Sequence, residues 1–179
     1  MKEMMCWSVK EEQIVDDLLA FLQITPEECA LLKSMQDDAR NISPALVEAF
    51  YERLVNNPMA SEFIQDVSAL KKTLANWFVR LFCGVYDREY ASNCLRIGMA
   101  HVRIGLPVRY PLAMFDILQQ YGVEVARSRG PQGVNAFLKI LALDVATFSQ
   151  AYDNTQLNHL TQLVGGSPTL ARRLLQDQY

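Results

Sequence analysis

Apolar residues recur at three- and four-residue steps along most of the chain, which is the spacing of one face of an α-helix. One clear stripe comprises Leu70, Thr73, Leu74, Trp77 and Leu81. Thr73 carries the single hydroxyl on that face. No stretch alternates apolar and polar residues with a period of two, and no tandem repeat occurs. The pattern predicts an all-α domain of about six to eight helices with no β-sheet.

Local signals predict where several of these helices begin. Thr25-Pro26-Glu27-Glu28 combines a capping oxygen, a proline at the first helical position and a carboxylate at the third, so a helix is expected to start there. Ser43-Pro44 gives a similar signal and predicts another helix start, with the helix ending near Asn56. A further helix is expected to begin after Asp87.

The last two long helices are expected over about 107–128 and 131–164. Residues 134–148 are apolar almost all round, and a helix of that kind requires burial on two sides. Gly165-Gly166-Ser167-Pro168 then marks the start of a short tail or linker, residues 165–179. This segment would suit a junction to a further domain or a frayed terminus.

Composition narrows the class of protein. The chain has 179 residues, of which 50% are hydrophobic and 21% charged, so one soluble globular domain is expected. The net charge of −3 lacks the basic surplus that binding to nucleic acid requires. No apolar run approaches the roughly 18 residues that span a bilayer, and the four cysteines lack the close spacing of a zinc or redox site. We therefore expect a cytoplasmic protein that binds neither nucleic acid nor membrane.

The candidate chemistry centres on one histidine. The chain has two histidines, and neither belongs to a His-x-x-x-His or a Cys-x-x-Cys-His motif. His159 is expected to be structural or exposed, whereas His101 falls on an apolar helical face near Gly98. It could be a core histidine bonded to a carbonyl one turn back. The alternative is the axial ligand of a haem, with the small Gly98 letting a flat macrocycle approach.

A longer stretch around this histidine resembles a known family. The run is Ile97-Gly98-Met99-Ala100-His101-Val102-Arg103-Ile104-Gly105-Leu106-Pro107. It is similar to the proximal-histidine signature of the globin-coupled sensors and their relatives, the protoglobins. Residues 49–54, 70–77 and 81–87 agree with the same family in order and approximate spacing. The resemblance covers roughly residues 10 to 160.

The resemblance implies a globin fold with an extra N-terminal helix at about residues 10–23, and a non-covalently bound haem b whose proximal iron ligand is His101. Residues 1–164 would form this sensor globin domain. The haem contacts that it implies are Phe50, Tyr51, Leu70, Thr73, Leu74, Ile97, Gly98, His101 and Ile104. Tyr51 and, in some members, the residue matching Thr73 would meet the bound gas. Tyr51 could instead pack in the core, and Thr73 could bond its own helical carbonyl.

The function implied is reversible sensing of a diatomic gas. Oxygen is expected, with carbon monoxide and nitric oxide as alternatives, and the chain would not itself be an enzyme. Family members dimerise through the last two long helices, and an output unit such as a diguanylate cyclase or a chemotaxis transducer often follows. Two other classes stay open: a haem-free globin-like signalling module, and a globin that oxidises nitric oxide.

Overall fold

Helices make up almost all of the part of the chain that this computed structural model describes, residues 13–63 and 67–176. They are α1 (Ile14–Leu22), α2 (Pro26–Lys33), α3 (Gln36–Val55), α4 (Pro58–Ser61), α5 (Val67–Arg80), α6 (Arg88–Arg103), α7 (Arg109–Ala126), α8 (Gly130–Leu163) and α9 (Pro168–Gln176). The described residues contain no strand, which confirms the all-α prediction. Their nine α-helices exceed the predicted number because short helices form at α4 and α9.

Two predicted helix starts are confirmed by their caps. The Thr25 hydroxyl accepts the Glu28 backbone N–H at 3.2 Å, and the Glu28 carboxylate accepts the Thr25 N–H at 3.0 Å. Asp87 accepts the Tyr90 backbone N–H at 2.9 Å at the start of α6. Each cap satisfies amide donors that have no partner within the helix, so these starts depend on local sequence alone.

The predicted helix start at Ser43-Pro44 is wrong, because α3 runs without a break from Gln36 to Val55. Pro44 has no N–H to donate to the Arg40 carbonyl one turn back. The Ser43 hydroxyl donates to that same carbonyl at 3.0 Å and supplies the missing donor. The helix therefore tolerates the proline, and it ends at Asn56 as predicted.

The two ends of the chain are also helical where they are described. Helix α1 lies within the N-terminal helix expected over residues 10–23, of which residues 10–12 lie outside the described part. Helix α9 lies within the segment expected to be a tail or linker. It contacts α8, and its residue Ala171 is fully buried. The Ser167 hydroxyl caps it by accepting the Leu170 N–H at 3.2 Å.

Helix α8 forms the centre of the fold and contacts α1, α2, α6, α7 and α9. Its fully or almost fully buried side chains include Phe137, Ile140, Leu143 and Phe148. Burial against several helices explains why its sequence is apolar almost all round. Helix α3 packs on α5 and α7 beside it, which leaves a space between α3, α5, α6 and α7. No helix of the described residues has both the length and the apolar composition needed to cross a bilayer.

Candidate functional site

An apolar cavity lies between α3, α5, α6 and α7, and α8 closes one wall of it. Its lining residues are Phe50, Tyr51, Leu54, Ala60, Phe63, Leu70, Trp77, His101, Ile104, Leu106, Tyr110, Pro111, Met114, Leu118 and Phe148. The cavity together with its open mouth has a volume of about 760 Å³. An apolar lining of this kind, with a few polar groups, is typical of sites for cofactors and other small ligands.

His101 presents a neutral imidazole to this cavity. Its Nδ1 lies 2.7 Å from the Ile97 carbonyl oxygen, one helical turn back. Because a carbonyl can only accept, Nδ1 carries the proton and Nε2 keeps its lone pair. Burial lowers the pKa of His101, and the hydrogen bond to Ile97 offsets part of that effect. The ring is therefore neutral near pH 7, with Nε2 able to bind a metal.

Packing against α8 holds the histidine ring in place. The ring of Phe148 meets the imidazole edge to face, with 5.3 Å between centroids. A Cβ added at Gly98 would lie 2.7 Å from the Ala151 Cβ and 2.8 Å from the Phe148 carbonyl oxygen. Gly98 therefore lets α6 approach α8 closely, and this contact fixes the helix that carries His101. The glycine faces α8 rather than the cavity.

Tyr51 brings a hydroxyl to the same cavity from α3. Its side chain is buried, and its ring lies against Phe50 with 5.7 Å between centroids. Among the described residues, none forms a hydrogen bond with the Tyr51 hydroxyl. Burial raises the pKa of Tyr51 to about 12, so the hydroxyl keeps its proton at neutral pH. It can therefore donate a hydrogen bond to a ligand in the cavity.

Two of the three predicted contacts on the stripe of α5, Leu70 and Thr73, lie in different surroundings. Leu70 lines the cavity and is 41% exposed, which places it near the mouth. Thr73 is exposed, and its hydroxyl donates to the Ala69 carbonyl at 3.0 Å. That interaction is the ordinary one for a threonine within a helix. Thr73 therefore directs its hydroxyl to its own backbone.

The remaining predicted contacts divide between the cavity and its surroundings. Ile104 lines the mouth and is 53% exposed. Leu74 is buried in the core, and Ile97 supplies the carbonyl that orients the histidine. Of the nine predicted haem contacts, the structure thus brings Phe50, Tyr51, Leu70, His101 and Ile104 to one cavity.

Sequence reasoning did not assign the cavity walls that come from α7 and α8, or the role of Trp77 in α5. Trp77 lines the cavity, and its indole N–H donates to Asp144 of α8 at 2.6 Å. The signal that could have found this pair is Asp144 itself. A carboxylate in a helix that must be buried on two sides requires polar partners.

Comparisons with known proteins agree with one another. The family model described as Protoglobin matches residues 11–158. The "Heme-based aerotactic transducer HemAT" of Halobacterium salinarum is 26% identical over 181 positions, which cover 89% of this chain and 36% of that protein. The chain thus spans about a third of the length of this relative. The solved globin domain of a Geobacter sulfurreducens globin-coupled sensor is 31% identical, with a TM-score of 0.72 over 76% of this chain and 96% of that one.

Proposed function

Because the chain belongs to the protoglobin family, we propose that it binds haem b non-covalently through His101 and senses oxygen reversibly at the haem iron. The likeness to the Geobacter sulfurreducens sensor domain confirms the all-α globin fold. The fold gives the setting for a haem, but the site must supply the ligand. The observation that carries the proposal is that His101 lines the apolar cavity while its Nδ1 is bonded to the Ile97 carbonyl at 2.7 Å, which leaves Nε2 as the free ring nitrogen.

The side chains around the cavity fit a haem. A haem iron needs one strong protein ligand, whereas a structural zinc needs four and a catalytic zinc usually three. His101 supplies one neutral nitrogen in an apolar wall. When bound, the haem supplies an iron that coordinates a diatomic gas. The hydrogen bond to Ile97 sets the tautomer and the orientation of the ligating ring, which is the usual role of such a partner.

Tyr51 gives the site its selectivity in this proposal. Its protonated hydroxyl can donate to an oxygen ligand that carries partial negative charge, and such a bond is worth roughly 1.5 to 3 kcal/mol. That energy corresponds to about a ten- to hundredfold change in affinity. Carbon monoxide accepts hydrogen bonds poorly, so the same hydroxyl would favour oxygen over carbon monoxide. Nitric oxide stays an alternative ligand of the site.

The chain would act as a regulatory input domain rather than as an enzyme. We place the signalling route through a homodimer formed by α7 and α8, towards an output domain or a partner such as a diguanylate cyclase or a chemotaxis transducer. The similarity to part of an aerotactic transducer supports this role. Sedimentation of the haem-loaded protein at micromolar concentration should give a dimer. A monomer under those conditions would contradict the route.

Optical spectra test the proposal directly. The protein is expressed with haem supplied, purified, reduced, and then exposed to oxygen or to carbon monoxide. We expect a Soret band that shifts reversibly with each gas. The variant His101→Ala tests the proposed ligand. Its matched control is His159→Ala, because His159 is the other histidine and lies exposed on α8. The control should keep the spectra of the wild type.

Two other experimental outcomes would favour the two rival functions. A complete lack of a Soret band would indicate a haem-free signalling module. Rapid turnover of nitric oxide with a reductant would indicate a globin that oxidises nitric oxide. Either result would overturn the sensing proposal.

A further inference from the structure

A buried polar cluster lies directly behind one wall of the cavity. Its centre is Asp144 of α8, whose side chain is 1% exposed. One carboxylate oxygen accepts the Trp77 indole N–H at 2.6 Å. The other accepts the Tyr90 hydroxyl, and the Cys94 thiol lies 3.3 Å from that same oxygen. The cluster therefore joins three helices, α5, α6 and α8.

The neighbours of Asp144 suit a carboxylate that only accepts. An indole N–H can donate but cannot accept, and the hydroxyl and the thiol both have a proton to donate. Burial raises the pKa of Asp144, and the bonds from Tyr90 and Trp77 lower it in part. The guanidinium of Arg80 lies over the Tyr90 ring, 4.9 Å from its centroid. It also lowers the pKa of Asp144 through its charge.

The role of Asp144 is to orient the side chains that donate to it rather than to fill space in the core. Apolar side chains could pack the same region without the cost of burying a carboxylate. Hydrogen bonds, in contrast, fix where a donor points, and a fully satisfied buried network makes its members rigid. Asp144 fixes the Trp77 indole by accepting its N–H. This indole is the neighbour of Asp144 that bears on the site, because the Trp77 side chain also lines the cavity.

The cluster also connects the cavity wall to the helix of the histidine. Tyr90 and His101 both belong to α6. Tyr90 touches Asp144, and Asp144 touches Trp77 on α5. A movement of α6 would therefore reach the α5 side chain Trp77, which lines the cavity, through one carboxylate. Tyr90 itself lies outside the cavity lining, so its hydroxyl does not contact the cavity directly.

We propose that Asp144 is a positioning residue, which fixes the Trp77 indole against the cavity and ties its orientation to helix α6. The effect on gas binding rests on the proposed function. The fixing of the indole does not, because it concerns hydrogen bonds between the chain's own side chains.

A double-mutant cycle on gas dissociation tests the connection. Tyr90→Phe removes a hydroxyl outside the cavity, and we expect it to change the oxygen dissociation rate about three- to tenfold. Trp77→Phe removes the indole N–H and breaks the connection. In that background Tyr90→Phe should have less than about a twofold effect, because the two changes act through the same carboxylate. Equal effects of Tyr90→Phe in both backgrounds would overturn the proposal.

The matched control is Tyr86→Phe. Tyr86 is also a buried tyrosine, its hydroxyl donates to the Leu81 carbonyl at 2.7 Å, and its ring lies 5.0 Å from that of Tyr90. It is not bonded to Asp144. Tyr86→Phe should lower the free energy of unfolding without changing the oxygen dissociation rate. If Tyr86→Phe changed the rate as much as Tyr90→Phe does, a general loss of rigidity in the core would explain both effects, and the proposal would be wrong.

A second readout does not require haem. The chain has two tryptophans, so the ¹⁵N-labelled apoprotein should give two indole N–H cross-peaks, and Trp77→Phe identifies one of them. Asp144→Asn and Tyr90→Phe should each shift the Trp77 peak, and Asp144→Asn should make its exchange with water faster. Tyr86→Phe should leave that peak in place. An unshifted peak in Asp144→Asn would overturn the positioning role.

The two readouts separate the two proposals. If no haem binds, the proposed function fails, and the indole peak still decides whether Asp144 fixes Trp77. If haem binds and the indole peak shifts but the oxygen dissociation rate does not change, the sensing function stands. In that case Asp144 fixes the indole, but its proposed effect on gas binding is wrong.

Discussion

The two sides of the cavity are built differently. On the histidine side, the ring nitrogen of His101 has a carbonyl partner and the ring packs on Phe148. On the tyrosine side, no described residue bonds to the Tyr51 hydroxyl, and Leu70 is partly exposed. On a side of the cavity where the polar side chain already has a hydrogen-bond partner, that side chain is held in one orientation. A side with an unused donor can respond to a ligand, so in the proposed function the difference would separate the holding of the haem from the recognition of the gas.

The largest effect should come from disturbing the packing on the histidine side. Gly98→Ala would place a methyl group 2.7 Å from Ala151 Cβ and 2.8 Å from the Phe148 carbonyl oxygen. The backbone cannot yield cheaply, so we expect a loss of about 1–3 kcal/mol in the free energy of unfolding, measured by urea titration. Ala100→Ser adds one atom at an exposed position of the same helix and is the control. Similar losses in both variants would show that the close approach of α6 to α8 has no special cost.

The next effect concerns the unused donor. Tyr51→Phe should make oxygen dissociation about tenfold faster or more, since the hydrogen bond to the gas is lost. Carbon monoxide dissociation should change less than about twofold, because that ligand accepts hydrogen bonds poorly. Both rates can be measured by stopped-flow spectroscopy after ligand exchange. An unchanged oxygen rate would remove Tyr51 from the recognition of the gas.

The smallest effect is expected at the other hydroxyl near the tyrosine side. Thr73→Val should change the oxygen dissociation rate less than about twofold, because the Thr73 hydroxyl is exposed and bonds to the Ala69 carbonyl. The measurement is the same stopped-flow experiment. An effect as large as that of Tyr51→Phe would mean that α5 turns this hydroxyl towards the ligand when haem is bound.

Local signals in the sequence predicted the features that depend on local contacts. The caps at Thr25 and Asp87 need only residues within one turn, and both are confirmed. The pairing of His101 with a carbonyl one turn back is equally local, and the structure contains it. Helical spacing also placed His101 on an apolar face, and the family resemblance placed Tyr51 at the ligand site; both residues line the cavity.

Features that depend on a distant partner could not be predicted in the same way. Ser43-Pro44 has the local form of a helix start, but helix α3 continues through it and the Ser43 hydroxyl serves the Arg40 carbonyl. The predicted reason for Gly98 was the approach of a flat cofactor, whereas the glycine meets α8. Asp144 lies far from Trp77 along the chain, so only the packing of α5, α6 and α8 shows what it binds.

The most direct test of the central claim is the iron–imidazole stretching band in the resonance Raman spectrum of the reduced, gas-free protein. We predict the band in the wild type and in His159→Ala. It should disappear in His101→Ala and return when free imidazole is added to that variant. A band that persists unchanged in His101→Ala would contradict the assignment of His101 as the haem ligand.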